Sequence, residues 1–131
     1  MSLTVTADLK QMARDGNLTL DQFIACIRSS LPRAWQIIEG LVVTLNDRPE
    51  LTHTIHAPRQ MEDEQRGQLL RLMASSSMRA TVEQFYGLRL EFQNCHVTAA
   101  FRPTAIGSEE YLRFVSPEAQ ILAQSPELVD C

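Results

Sequence analysis

The segment of residues 88–101 constrains the fold of this chain more than any other part of the sequence. Apolar and polar residues alternate along it, which is the period of a half-buried β-strand, and Cys95 and His96 stand next to each other within it. The alternation predicts a strand pair, residues 88–94 and 96–101, at the centre of a small sheet. The pair also contains the one place where a thiol and an imidazole are adjacent in the sequence.

Helix signals occur on both sides of this pair. Thr19 and Gln22 have the spacing of a capping box, Pro32 suits the first turn of a helix, and Gly87 is a natural helix end. Apolar residues recur at helical spacing between these signals. The predicted helices are residues 7–14, 19–30, 32–45, 62–73 and 77–86. Two further strands are predicted at residues 51–56 and 111–115, and a last helix starts at residues 116–118.

Together these elements predict one α+β domain over residues 1–131. We expect a small mixed or antiparallel sheet packed with several helices, and frayed ends at residues 1–17 and 125–131. A chain of 131 residues can bury such a core without disulfides or metals. The apolar side chains predicted to lie in the core are Phe23, Ile24, Ile27, Ile38, Leu41, Leu70, Val82, Phe85, Leu90 and Phe92.

Composition argues against several classes of function. Hydrophobic residues make up 44% and charged residues 21% of the chain, as in ordinary folded domains. The net charge of −4 disfavours nucleic-acid binding, which needs cations to neutralise phosphates. No apolar run approaches the roughly 20 residues of a membrane span, and the first residues lack a signal-peptide pattern. We therefore expect a cytoplasmic protein with no direct membrane span.

The cysteines indicate the redox state that we expect. Cys26, Cys95 and Cys131 are widely spaced, and three thiols cannot all pair within one molecule. A set without a Cys-X-X-Cys motif is typical of reduced thiols in a reducing compartment. We expect no disulfide.

A small cytoplasmic enzyme or metal-binding protein is one interpretation of the histidines and Cys95. A zinc site would take its ligands from His53, His56 and either Cys95 or His96, which are suitable by type. On a strand, however, His53 and His56 fall on opposite faces, and so do Cys95 and His96. The five glycines stand singly, so the sequence has no phosphate-binding loop. We predict no catalytic, cofactor-binding or metal-binding residue and no cofactor.

A non-catalytic protein-binding module is the other interpretation. Arginine supplies eleven of the twelve cations, Lys10 being the single lysine, and arginine is enriched at protein interfaces. A biased genomic composition would produce the same excess. Aromatic contacts would come from Trp35, Tyr86, Tyr111 and Phe114, with Trp35 as a partly buried anchor near a helix start.

Three short motifs follow one another along residues 57–97, namely Ala57-Pro58, Leu69-Leu70 and His96-Val97. Their order resembles the fasciclin-like domain, in which an Ala-Pro turn ends a strand, a helical region carries paired leucines, and a later strand carries His-Val. The acidic chain of this size is similar to the CupS family, the small fasciclin-like subunit of the cyanobacterial carbon-dioxide-uptake NAD(P)H dehydrogenase-like complex. The resemblance implies a non-catalytic subunit docked to a larger protein of a membrane-associated complex, peripheral to the thylakoid membrane. It also implies that His96 is structural.

Overall fold

The structure is a computed structural model and describes residues 3–122. Within these residues the chain forms helices and strands in an α+β arrangement, as the sequence predicts. The elements in chain order are α1 (Ala7–Arg14), α2 (Leu20–Ser30), α3 (Pro32–Asp47), β1 (His53–His56), α4 (Asp63–Ala74), α5 (Ser76–Tyr86), β2 (Arg89–Gln93), β3 (Val97–Phe101), a 3-10 turn (Pro103–Ala105), α6 (Glu109–Phe114) and α7 (Pro117–Leu122). The fraying predicted for residues 125–131 falls outside the described residues.

The three strands form an antiparallel sheet with the order β1-β3-β2. In this sheet Ala100 of β3 lies opposite Thr54 of β1 and opposite Leu90 of β2. All five residues of β3 are buried, because this strand has a neighbour on each side and helices pack on both faces of the sheet. The strand pair predicted from residues 88–101 is confirmed.

Helices α2 to α5 pack together with one face of the sheet to form the main core. Leu90 and Ala100 contribute to this core from the sheet, and Phe23 and Phe92 pack against it while half-buried. Six of the predicted core residues are buried in it, namely Ile24, Ile27, Ile38, Leu41, Val82 and Leu90. The capping box at the start of α2 is also present as predicted.

Three burial predictions are wrong. Leu70 and Phe85 are 41% and 39% exposed. On α4 the buried face is formed by Leu69 and Leu72 instead, so the predicted apolar stripe was displaced by one position. Trp35 is only 2% exposed and belongs to the core. Phe85 packs against this indole, with ring centroids 6.0 Å apart, and its other side meets solvent.

The strand predicted at residues 111–115 is wrong, because this segment forms helix α6. The Ser108 hydroxyl accepts a hydrogen bond from the Tyr111 backbone N at 3.2 Å, and two glutamates occupy the first turn. Both features stabilise a helix start. The Tyr111 and Phe114 rings then pack edge-on against Phe101, with centroids 5.0 Å and 5.6 Å away. Helix α6 thus covers part of the second face of the sheet, and α7 begins where the sequence predicts a helix start.

Candidate functional site

Cys95 and His96 lie in the turn between β2 and β3. Asn94 and Cys95 both have a φ of 53°, a left-handed conformation that asparagine tolerates better than most residues. Cys95 is disulfide-bonded, so the expectation of reduced thiols is wrong for this residue. Cys26 is a buried free thiol, and Cys131 lies outside the described residues. Since a thiolate is the nucleophilic form of cysteine, the bonded Cys95 cannot attack a substrate in this state.

His53 and His56 lie on opposite faces of β1, as strand alternation predicts. The His53 ring stacks on Phe101 with centroids 4.8 Å apart and a 14° angle between planes, on the face that α6 covers. Thr54 points to the other face, where its hydroxyl donates to the Leu41 carbonyl at 3.0 Å. His56 lies on the same face as Thr54 and lines a cavity beside α3 together with Leu41. The two imidazoles therefore cannot share one metal ion.

His56 lies near His96, which is 6% exposed. Partial burial, and then the nearby His96 imidazole, lower the pKa of His56 below its ordinary value of 6.5. The His96 Nδ1 lies 2.6 Å from the Asn94 carbonyl oxygen. Because a carbonyl only accepts, this nitrogen is the donor of the bond. The hydrogen bond fixes the His96 ring within the turn.

These histidines do not form part of a larger ligand cluster. Over residues 3–122, no three His, Cys, Asp or Glu side chains lie close enough together to hold a metal ion. The His56 Nδ1 is buried and has no hydrogen-bond partner among the described residues. Two neighbouring imidazoles without a third ligand are a weak arrangement for zinc, which takes four ligands.

A groove of about 620 Å³ runs between β1 and the helices α6 and α7. Its walls are mostly apolar, and two of its side chains are unusually accessible for aliphatic residues: Ile55 is 46% exposed and Leu122 is 83% exposed. The residues that line the groove are His53, Ile55, Ala57, Gln93, Val97, Glu110, Arg113, Phe114, Ser116, Glu118, Ala119 and Leu122. An open apolar groove with a few charged groups is a typical ligand-binding or partner-binding surface.

The charges of this groove are unevenly paired. Arg113 forms an ion pair with Glu109, with its Nη2 3.0 Å from Oε1. Glu110 and Glu118 also line the groove, and neither forms an ion pair with another residue of the described range. The groove therefore combines apolar walls with an excess of negative charge.

A polar network holds α6 against the sheet and so shapes the groove. The Tyr111 hydroxyl donates to Glu91 Oε1 at 2.7 Å, and Arg89 lies 3.5 Å from the same carboxylate. Burial, and then the hydrogen bond to Glu91, raise the pKa of Tyr111. Gln93 donates to the Phe114 carbonyl at 2.6 Å. These contacts hold the middle and the last residue of α6 on the second face of the sheet.

The aromatic residues proposed from the sequence as an interface are not brought together at one exposed surface. Trp35 is in the main core, Tyr86 packs beside it, and Tyr111 and Phe114 pack from α6 against Phe101. Ile55 and Leu122 were not recognised from the sequence. The Thr-His-Thr-Ile-His alternation does mark one side of β1, but only the position of α6 and α7 turns that side into a groove.

Comparison with known proteins gives one finding. A sequence model of the family described as NucS shadow ORF matches the chain over residues 1–131. No curated protein and no solved structure matches the chain significantly. The resemblance to the fasciclin-like CupS family is therefore wrong, because the family that matches is a different one.

The expectations that rested on that resemblance are withdrawn with it. A role in carbon-dioxide uptake, photosynthesis or the thylakoid has no basis once the family is corrected. None of the helices in residues 3–122 has the length and apolar character needed to cross a membrane.

Proposed function

Given that the chain belongs to the NucS shadow ORF family, we propose that it is a non-catalytic protein-binding module whose partner docks in the groove between β1 and helices α6 and α7. One observation carries this proposal: the groove keeps aliphatic side chains accessible to solvent on the outside of a folded core. Burying such a surface against a partner is the dominant favourable term in protein association.

The apolar surface continues beyond the groove along the same helices. Leu112, Val115 and Ile121 are 57%, 43% and 71% exposed. Isolated exposed leucines are normal in soluble proteins, whereas several on one pair of short helices beside an apolar groove suggest a contact surface. The unpaired carboxylates of Glu110 and Glu118 would supply the polar rim that protein interfaces usually have.

An enzymatic function has less support. The nucleophile suggested by the sequence, Cys95, is disulfide-bonded. His53 stacks on Phe101, and His56 lies on the opposite face of the strand. No pair of side chains among these candidates combines a nucleophile with a base, which thiol chemistry requires.

Nucleic-acid binding is a second candidate, because the full label of the matching family, KH NucS shadow, contains the letters KH. KH domains clamp nucleotides with a Gly-X-X-Gly loop. This chain has glycines at positions 16, 40, 67, 87 and 107, and no two of them have that spacing. The net charge of −4 would also repel phosphates. We therefore favour a protein partner, and a labelled single-stranded RNA serves as a comparison ligand in the test.

The proposal is tested by selecting peptides that bind the purified chain from a phage-displayed library. We expect enrichment of binders on the wild-type protein and on Val43→Glu, whose side chain is exposed on α3 and does not line the groove. We expect loss of enrichment on Leu122→Glu, which places a charge in the groove. Absence of enrichment on the wild type, equal enrichment on both variants, or tight binding of the RNA instead would contradict the proposal.

The experiment uses purified protein and point substitutions rather than deletion of the gene. The family description contains the words shadow ORF, and if the reading frame overlaps that of another gene, deleting it would alter the other product as well. Peptides unique to this chain should be detectable by mass spectrometry in cells that carry the gene. If the same proteome contains proteins whose transcripts are equally abundant but lacks these peptides, that result would argue against a cellular role.

A further inference from the structure

The free edge of strand β1 identifies the form of the partner. Resting on the proposed function, we propose that the groove binds an extended polypeptide segment that pairs with β1 as an additional strand, with an apolar side chain in the groove and a basic residue at its rim. Strand addition of this kind uses backbone hydrogen bonds for affinity and side-chain pockets for specificity.

The register of the sheet determines which backbone groups of β1 face outward. The Arg102 backbone N donates to the Thr52 carbonyl at 3.0 Å, and the next pairs along β1 and β3 are Thr54 with Ala100 and His56 with Thr98. In an antiparallel ladder, hydrogen-bonded pairs alternate with pairs whose N–H and C=O groups point away. The backbone groups of His53 and Ile55 therefore point to the outer edge. They have no hydrogen-bond partner within the described residues.

The opposite edge of the sheet is partly capped and carries charges. On β2, the outward N–H of Leu90 donates to Glu83 Oε2 at 2.8 Å, and Arg89 and Glu91 place charges along that strand. Charged side chains and a covering group are the usual means by which proteins prevent pairing at an edge. Within residues 3–122, no group bonds the outward backbone of His53 or Ile55, and His53 to His56 contain no carboxylate, lysine or arginine.

Charge complementarity specifies the residues of the partner. The side chain of Ile55 lies beside the free edge and lines the groove, so an added strand would place alternate side chains there. The carboxylates of Glu110 and Glu118 line the same groove, and Arg113 is already paired with Glu109. A lysine or arginine in the partner would pair with the two free carboxylates. We therefore expect the selected peptides to alternate aliphatic and polar residues and to contain a basic residue.

Amide hydrogen exchange of the complex tests the pairing directly. The probe is the highest-affinity peptide from the phage selection, added to isotope-labelled full-length protein. Strand addition predicts slower exchange at the amides of His53 and Ile55, whereas Thr54 and His56 already donate within the sheet and should change little. The Leu90 amide at the other edge should not change. Uniform protection, or no protection at His53 and Ile55 while the peptide is bound, would overturn the strand pairing and leave the groove proposal intact.

A pair of substitutions at one position separates the backbone from the side chain. Ile55→Ala keeps the outward N–H, and Ile55→Pro removes it without breaking a bond to β3, which is where edge strands tolerate proline. We expect Ile55→Pro to weaken peptide binding about tenfold more than Ile55→Ala. Equal losses would contradict backbone pairing. The amides of His53 and Ile55 should also be measured in the protein without peptide. If their protection from exchange increases with protein concentration, a second copy of the chain occupies the edge and the proposal is overturned.

The charge part of the proposal has its own matched control. Glu110→Gln should weaken binding of the peptide and reduce the salt dependence of binding, whereas Glu39→Gln, at an exposed position of α3, should change neither. If the selected peptides lack basic residues, or if both variants bind alike, the carboxylates do not contribute to recognition.

Discussion

The side-chain oxygen of Gln68 accepts hydrogen bonds from the backbone N of Arg33 at 2.6 Å and from that of Ala34 at 3.2 Å. Helix α3 has no capping side chain of its own, because it follows α2 almost without a break at Leu31-Pro32. A buried residue of α4, 5% exposed, therefore satisfies the first turn of a helix that lies far from it in the sequence. This contact joins the two helices that carry most of the main core.

Replacement of Gln68 by Ala should lower the free energy of unfolding by about 1–3 kcal/mol, because the buried N–H of Ala34 and the partly buried N–H of Arg33 lose their acceptor. Gln84→Ala, on an exposed face of α5, is the matched control and should have almost no effect. Urea unfolding followed by circular dichroism measures both. Equal stability of the two variants would mean that water replaces the Gln68 oxygen without cost.

Arg102 joins the end of α3 to the start of β1. Its guanidinium donates to the carbonyl oxygens of Leu45 at 2.5 Å and Leu51 at 2.7 Å, with a longer contact of 3.3 Å to Arg48. Lysine keeps the charge but cannot form this planar fork. We expect Arg102→Lys to destabilise the fold by about 1–3 kcal/mol, while Arg113→Lys, at an exposed ion pair, costs little. Thermal unfolding of both variants at equal ionic strength checks this.

Adjacent leucines on α4 should differ sharply in their contribution to stability. Leu69 is fully buried, whereas Leu70 is 41% exposed. Leu69→Ala should cost about 2–5 kcal/mol because it leaves a cavity in the core, and Leu70→Ala should cost much less. The same unfolding assay compares them, and similar losses would place the apolar stripe of α4 where the sequence pattern predicts it.

Stability should fall in mild acid because of His56. The pKa of His56 is lowered in the folded state, chiefly by burial, so the unfolded chain binds its proton more tightly. The unfolding free energy should therefore begin to fall as the pH drops through about 6.5, and the loss should be complete below the folded pKa. His56→Gln should reduce this slope between pH 7.5 and 5, and His53→Gln should retain it. Parallel stability curves for His56→Gln and the wild type would contradict the assignment.

Local signals account for the parts of the fold that the sequence predicted. Thr19 with Gln22, and Gly87, mark helix ends through contacts within a few residues. The strand at residues 111–115 was predicted wrongly because alternation outweighed the cap at Ser108, and the helix was recognisable only from that hydroxyl and the glutamates after it. Gln68 was missed because it caps a helix from about 35 positions away.

The candidate site depended even more on long-range structure. The groove exists because α6 packs on Phe101 and is held by Tyr111 and Gln93, none of which is a local signal. The disulfide at Cys95 could not be inferred either, since an odd number of cysteines favours no particular pairing. Alternation did place His53 and His56 on opposite faces, because that relationship depends on one strand alone.

The central claim, that a partner binds in the groove beside β1, is tested most directly by the dissociation constant of one selected peptide for two isoleucine variants. Ile55→Glu places a charge in the groove, and Ile106→Glu places it at a site of similar exposure, 42% against 46%, that does not line the groove. Isothermal titration should give at least about a tenfold weaker Kd for Ile55→Glu and an unchanged Kd for Ile106→Glu. The same Kd for both variants would contradict the claim.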